Sequence, residues 1–338
     1  MTIDAFIDAL PKVELHVHLV GSASVDTVLE LSRRHPGSAV PTTEEELRAF
    51  YTFTDFPHFA RVYQAVNSLV KEPQDVATLV LGLSRDLAAQ NTRYVELQVT
   101  PYAHAVVGMP MREVTEALDL AAKQSLAEHG VEMAYIFDIP GEYGEEAARV
   151  TVDHALTEPP ATLVGFGIGG IEQDRLKYRD AYRDAFTAAR AAGLHSVPHG
   201  GEMTGPETMW EVIEGYGAER IGHGIRCLED PRLVAHLRET QLPLDVCPTS
   251  NVCTGQIATL SEHPLPRLLE EGLFVTLNSD DPPMFATTLS QEYRVAAEVL
   301  GLGRRELATL AANGVRASYL DKDRKRELLA EISAVAAS

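Results

Sequence analysis

Beyond residue 90 the chain alternates between short apolar runs and longer stretches with apolar residues every three or four positions. The runs cover 94–100, 132–139, 163–170, 195–202, 220–224, 242–247 and 274–281, and helical periodicity fills 111–129, 178–192, 207–216, 231–240 and 264–271 between them. An earlier strand covers 14–22, followed by a helix over 25–32 that stops near Pro36-Gly37. Strands in strict β-then-α order predict a parallel sheet, and eight such units close into a barrel, so the expected fold is α/β, a (β/α)8 TIM barrel. The whole chain, 1–338, reads as one domain.

Two regions depart from the simple repeat. Residues 41–91 separate the first two strands by too much chain for a βα connection, and hold helical patterns at 42–50 and 57–70 around the aromatic-rich stretch 50–56. This helical insertion reads equally as a lid over a site or as an extra packing layer. The Ala- and Leu-rich tail over 304–337 predicts C-terminal helices outside the barrel, with the charge run 322–327 on a solvated face.

The first strand contains Leu15-His16-Val17-His18-Leu19-Val20-Gly21. Side chains alternate faces along a strand, so His16, His18 and Val20 point one way and Leu15, Val17 and Leu19 the other. Two imidazoles therefore face the same space.

Composition narrows the classes. Lys and Arg total 29 against 49 Asp and Glu, and a formal charge of −20 opposes extended contact with nucleic-acid phosphates. No stretch approaches the roughly 18 apolar residues of a membrane span, and the N-terminal residues lack a basic or long apolar signal region, so a cytoplasmic protein is expected. Cys227, Cys247 and Cys253 form neither a disulfide framework nor a Cys-x-x-Cys knuckle and read as reduced thiols.

Barrel enzymes carry their chemistry at the carboxyl ends of the strands. Here those ends hold His16 and His18, then His199-Gly200-Gly201-Glu202, Gly222-His223-Gly224 and Asn278-Ser279-Asp280-Asp281-Pro282. Three imidazoles and a carboxylate suit one divalent zinc with a water completing the site, which singles out His16, His18, His199 and Asp280. The other eight histidines, His35, His58, His104, His129, His154, His195, His236 and His263, fall in loops, helices or strand starts and read as structural.

These motifs, together with Cys247-Pro248-Thr249-Ser250-Asn251, occur in the order and spacing of the adenosine deaminase family of the amidohydrolase superfamily, which the chain resembles from about residue 10 to 300. The resemblance implies a zinc barrel that hydrolyses the 6-amino group of an adenine-containing small molecule and releases ammonia. It puts the zinc ligands on His16, His18, His199 and Asp280, the general acid on Glu202, the hydroxide-orienting histidine on His223 and the purine N7 contact on Asp281. A backbone N–H to purine N3 falls on Gly170, in preference to Gly169. The His-x-Glu with Pro-Cys-x-x-Cys signature of the other zinc nucleobase deaminases is absent. Binuclear amidohydrolases carry a lysine where this chain has only glycines at the end of the fourth strand, which favours one metal.

One position departs from that pattern. Adenosine deaminases usually carry aspartate two residues after the second histidine, as acceptor for the ribose 5′-hydroxyl; this chain has Val20. A hydroxyl buried against valine loses its partner, so adenosine is expected to be a poor substrate and a 5′-deoxy carbon with a larger substituent a better one. The run His18-Leu19-Val20-Gly21-Ser22-Ala23-Ser24 resembles the aminodeoxyfutalosine deaminases of menaquinone biosynthesis, whose nucleoside carries a carboxyphenyl-ketone arm at C5′. Arg61 or Lys71 of the insertion is the cation expected to meet that carboxylate. The alternatives are adenosine, 5′-deoxyadenosine, 5′-methylthioadenosine or adenine as substrate, or another mononuclear amidohydrolase reaction.

Overall fold

A computed structural model describes residues 1–54 and 56–338; Asp55, inside the aromatic stretch of the insertion, lies outside the described residues. Eight strands form one sheet in sequence order: β1 (Lys12–His18), β2 (Thr92–Val99), β3 (Glu132–Pro140), β4 (Leu163–Gly169), β5 (His195–Gly200), β6 (Ile221–His223), β7 (Leu244–Val246) and β8 (Val275–Leu277). Every neighbouring pair is parallel. The seam between β8 and β1 closes just past the end of β8, where the Asp280 N–H donates to the His16 carbonyl at 2.9 Å and the His18 N–H to the Asp280 carbonyl at 3.1 Å. Closure therefore sets three expected ligands side by side. The fold is the (β/α)8 barrel.

The inner face of β1 is polar along its whole length: Lys12, Glu14 and His16 are fully buried, and His18 opens toward the cavity. Charge inside the barrel is compensated. The Lys12 ammonium donates to the carbonyls of Leu10 and Gln90, and Glu14 accepts from Ser279. Arg220 bridges Glu96 at 2.5 Å and Asp245 at 2.6 Å. Such a network is tolerated only because each charge finds a partner.

Strand ends differ from the expectation in two informative places. β1 stops at His18, and residues 19–22 turn back, with the Ser22 N–H donating to the His18 carbonyl at 2.9 Å. Val20 thus belongs to a turn rather than to the strand face shared with His16 and His18, yet it is buried in the cavity wall. β5 ends at Gly200 rather than 202, because Gly201 takes a φ of +68° and the next three N–H groups point to Glu172 instead of a neighbouring strand.

The insertion forms helices Glu44–Phe50, Phe56–Asn67 and Pro73–Ala88, the last of which the sequence reading left undivided within 41–91. Its aromatic residues pack on one another and line the cavity. Phe53 packs against Phe59 and Phe285, while Phe56, Phe59 and Tyr63 form part of the cavity wall. Helices Arg304–Ala317 and Lys322–Ala336 pack outside the barrel as expected; helices Ile3–Ala9 and Leu289–Glu298 were not foreseen. No helix among the described residues is long and apolar enough to cross a membrane.

Candidate active site

A cavity of about 440 Å³ opens at the carboxyl end of the barrel. Val20, Gly170, His18, His199, Glu202, His223, Asp280 and Asp281 all line it, and His16 lies beneath, fully buried. The strand tips thus bring the residues singled out in the sequence to one place. Two neighbouring glycines make room for this: a Cβ on Gly222 would lie 2.7 Å from the His16 ring, and one on Gly21 would collide with the Asp281 carboxylate at 1.4 Å.

The ring centroids of His16, His18 and His199 lie 4.5 to 5.5 Å apart, and one nitrogen from each falls within 4.8 Å of the others. Asp280 Oδ1 is 3.2 Å from His18 Nε2 and 3.5 Å from His16 Nε2. Both nitrogens of His16 and Nδ1 of His199 are buried with no hydrogen-bond partner. An imidazole orphaned in this way loses roughly 1 to 3 kcal/mol unless something binds it. The orphaned nitrogens and the converging carboxylate fit a divalent metal ion.

Asp280 has a φ of +66° and His223 one of +64°, a left-handed backbone that side-chain-bearing residues rarely adopt. Each is held by its partners. Ser250 donates to Asp280 Oδ2 at 2.6 Å, and against the effect of burial the adjacent imidazoles of His16 and His18 hold that carboxyl well below the usual range.

For His223 a chain of hydrogen bonds assigns the tautomer. The Leu265 N–H donates to His263 Nδ1, so His263 Nε2 carries the proton and donates to Asn251 Oδ1 at 3.1 Å. The Asn251 amide must then present its NH2 to His223 Nδ1, at 3.2 Å. His223 Nε2 consequently bears the proton, and faces Glu202 Oε2 at 3.6 Å and Asp280 Oδ2 at 3.9 Å. Burial and the neighbouring His16 push the pKa of His223 down to about 3, so the ring is a neutral donor. His263, read from the sequence as structural, fixes this relay.

Burial, with Asp280 close by, pushes the carboxyls of Glu202 and Asp281 well above their ordinary range. Both carboxyls line the cavity, and Asp281 Oδ1 has no partner within the protein. Glu172 and Arg175, which no sequence motif flagged, fix the loop that carries Glu202. Glu172 accepts the N–H groups of Glu202, Met203 and Thr204, and Arg175 donates to the His199 carbonyl at 2.8 Å and the Gly170 carbonyl at 3.0 Å. Arg61 and Lys71 are exposed and neither lines the cavity, because the insertion helix turns Phe56, Phe59 and Tyr63 inward instead. Among the described residues no Lys or Arg lines it.

A parallel barrel whose carboxyl end gathers three imidazoles and three buried carboxyls is a hydrolase of the amidohydrolase kind. The chain belongs to the adenosine deaminase family, whose model matches residues 11–335. It is 48% identical over 336 residues to an aminodeoxyfutalosine deaminase of Streptomyces avermitilis, covering 99% of this chain and 93% of that one. Identity to the aminodeoxyfutalosine deaminase of Streptomyces coelicolor is 49% over 338 residues, with 99% and 86% covered. Among solved structures, an adenine deaminase from Arthrobacter aurescens superposes with a TM-score of 0.91 at 30% identity, covering 97% of this chain and all of that one. An amidohydrolase from Burkholderia ambifaria with bound Zn superposes with a TM-score of 0.89 at 26% identity over 99% of this chain and 95% of that one.

Proposed function

We propose that the protein is a zinc-dependent deaminase of a 5′-modified adenine nucleoside, most plainly 6-amino-6-deoxyfutalosine, which it converts to futalosine and ammonia. The observation that carries the deamination is the placement of two buried carboxyls, Glu202 and Asp281, whose pKa burial and Asp280 push upward, in one cavity with the orphaned imidazoles. Adenine offers hydrogen-bond acceptors at N1 and N7. A protonated Glu202 suits N1, a protonated Asp281 suits N7, and the Gly170 N–H suits N3. An ester or phosphoester hydrolase would not need two such donors matched to purine nitrogens.

His16, His18, His199 and Asp280 would hold one zinc ion, which supplies Lewis acidity that brings the ionisation of water from roughly 15.7 to about 7. The ionised Asp280 takes a proton from the attacking water. The His223 Nε2–H, being a donor, aligns the water oxygen on C6 and cannot itself be the base in this tautomer. As the C6–O bond forms, Glu202 gives its proton to N1, so the ring loses aromaticity without building charge. Asp280 then hands its proton to the amine, the C6–N bond breaks, ammonia leaves and the remaining hydroxyl proton returns to Glu202.

Three features support a 5′-extended nucleoside. Val20, 5% exposed in the wall, offers no acceptor to a 5′-hydroxyl. The outer wall is aromatic, with Phe56, Phe59, Tyr63, Tyr102 and Tyr143. A cavity of about 440 Å³ is more than a free base fills. The names of the relatives at 48% and 49% identity agree with this reading and suggest a role in menaquinone biosynthesis. Purified protein should release ammonia from aminodeoxyfutalosine with a kcat/KM well above that for adenosine. Equal or higher efficiency on adenosine would remove the argument from Val20.

A further inference from the structure

Arg175 is 6% exposed, yet its guanidinium makes no ion pair among the described residues. Two of its nitrogens donate to backbone carbonyls, those of His199 at 2.8 Å and Gly170 at 3.0 Å, and Nε has no partner. Arg220, the other buried arginine, sits between two carboxylates instead. A cation buried without a counter-ion costs stability, which singles out the two carbonyls as what this side chain is there to hold.

Both carbonyls belong to strand tips that carry the site. His199, a candidate metal ligand, is at the tip of β5; Gly170 follows β4 and lines the cavity with a φ of +76°. The Gly170 N–H has no partner among the described residues, whereas the carbonyl on the same peptide plane, that of Gly169, accepts the Gly141 N–H at 3.1 Å. A trans peptide is planar with its N–H opposite its C=O, so that bond turns the Gly170 N–H away from Gly141. Arg175 packs against Gly141 as well: a Cβ there would lie 2.8 Å from the Gly169 oxygen and 2.9 Å from Arg175 Cγ. The arginine thus grips Gly170 on both of its peptide planes, through the Gly170 carbonyl on one side and through Gly141 on the other.

We propose that Arg175 is a positioning residue for the purine: by tying the Gly170 carbonyl to the backbone of His199, it sets the Gly170 N–H against N3 at a fixed place relative to the metal donors that face C6. The inference rests on the adenine-nucleoside reading of the site. It adds a residue that lines no part of the cavity and acts only through Gly170.

The test compares two nucleosides that lack N1, take no proton from Glu202 and so are not deaminated: 5′-deoxy-1-deazaadenosine, which keeps N3, and 5′-deoxy-1,3-dideazaadenosine, which does not. Calorimetry on the zinc-loaded wild type should give a Kd about five- to tenfold lower for the first, the worth of one hydrogen bond. In Arg175→Met that preference should shrink to within about twofold, while the Kd of the dideaza ligand moves by less than about twofold. Arg175→Lys keeps the charge without the planar fork and should show an intermediate preference; it decides the matter where the Met variant does not fold. Equal weakening of both ligands makes Arg175 a general support and overturns the proposal. An undiminished preference in Arg175→Met, or in Arg175→Lys where it stands alone, detaches the residue from N3 and overturns it too. A wild type with no preference removes the contact between Gly170 and N3 and the proposal with it, and one that also deaminates no adenine nucleoside overturns the adenine reading itself.

Discussion

Glu172 accepts the backbone N–H of Glu202 at 3.1 Å, and its other oxygen accepts the N–H of Thr204 at 2.6 Å. A carboxylate on the turn after β4 thus fixes the direction of an acid on the turn after β5. Its negative charge also contributes to the raised pKa of Glu202, behind burial and Asp280. Glu172→Gln keeps the volume and removes the charge. We expect kcat to fall roughly ten- to a hundredfold, the scale of a misplaced general acid. The alkaline limb of kcat/KM should also move to lower pH, because a weaker negative field lets Glu202 ionise sooner. A change in kcat with an unmoved limb would make Glu172 a scaffold only.

Val20 faces the cavity from the turn after β1, beside Gly21 and Asp281. Val20→Asp supplies an acceptor for a 5′-hydroxyl. A hydrogen bond to a charged group contributes roughly 1.5 to 3 kcal/mol, so kcat/KM for adenosine should rise by about ten- to a hundredfold. The same change sets a charge against an apolar 5′ carbon and should depress turnover of aminodeoxyfutalosine. An unchanged ratio of the two efficiencies would show that this position does not read the 5′ group.

The barrel and the cluster of candidate metal donors were legible because both write themselves in short-range pattern. Eight apolar runs alternate with helical periodicity, and histidines stand at run ends. What escaped had no local pattern. Glu172 looks like any acidic residue at the start of a short helix, and only the three N–H groups delivered from β5 give it a task. Arg220, Glu96 and Asp245 lie far apart in sequence and meet only because the barrel closes. Val20 was assigned to a strand face because the apolar alternation runs on past His18, whereas the backbone turns there.

Removal of metal offers a direct check on the donor set. Chelation should abolish deamination, and about one equivalent of zinc should restore it. Because the orphaned imidazoles gain their partner only in the folded protein, binding should also raise Tm, by mass action on the native state. His16→Ala should abolish both the recovery and the shift in Tm. Full activity in chelated protein with no measurable metal would remove zinc from the reaction.

Glu292 makes the stability of the site depend on pH. Its carboxyl is buried, and accepts the Thr249 N–H at 3.0 Å and the Thr287 hydroxyl. Burial raises its pKa to about 7, from an ordinary value of 4.5. The folded protein therefore holds a proton that the unfolded chain has given up between those two values. The stabilising contribution is full below pH 4.5 and is lost as pH rises through about 7. At one pKa unit per 1.36 kcal/mol the loss is on the order of 3 kcal/mol. Glu292→Gln is uncharged throughout, so it should match the wild type in acid and become more stable relative to it above neutrality. Urea unfolding of both proteins at pH values on either side of that window reads the difference directly. Parallel curves would show that the Thr249 and Thr287 bonds, not the proton, hold this side chain.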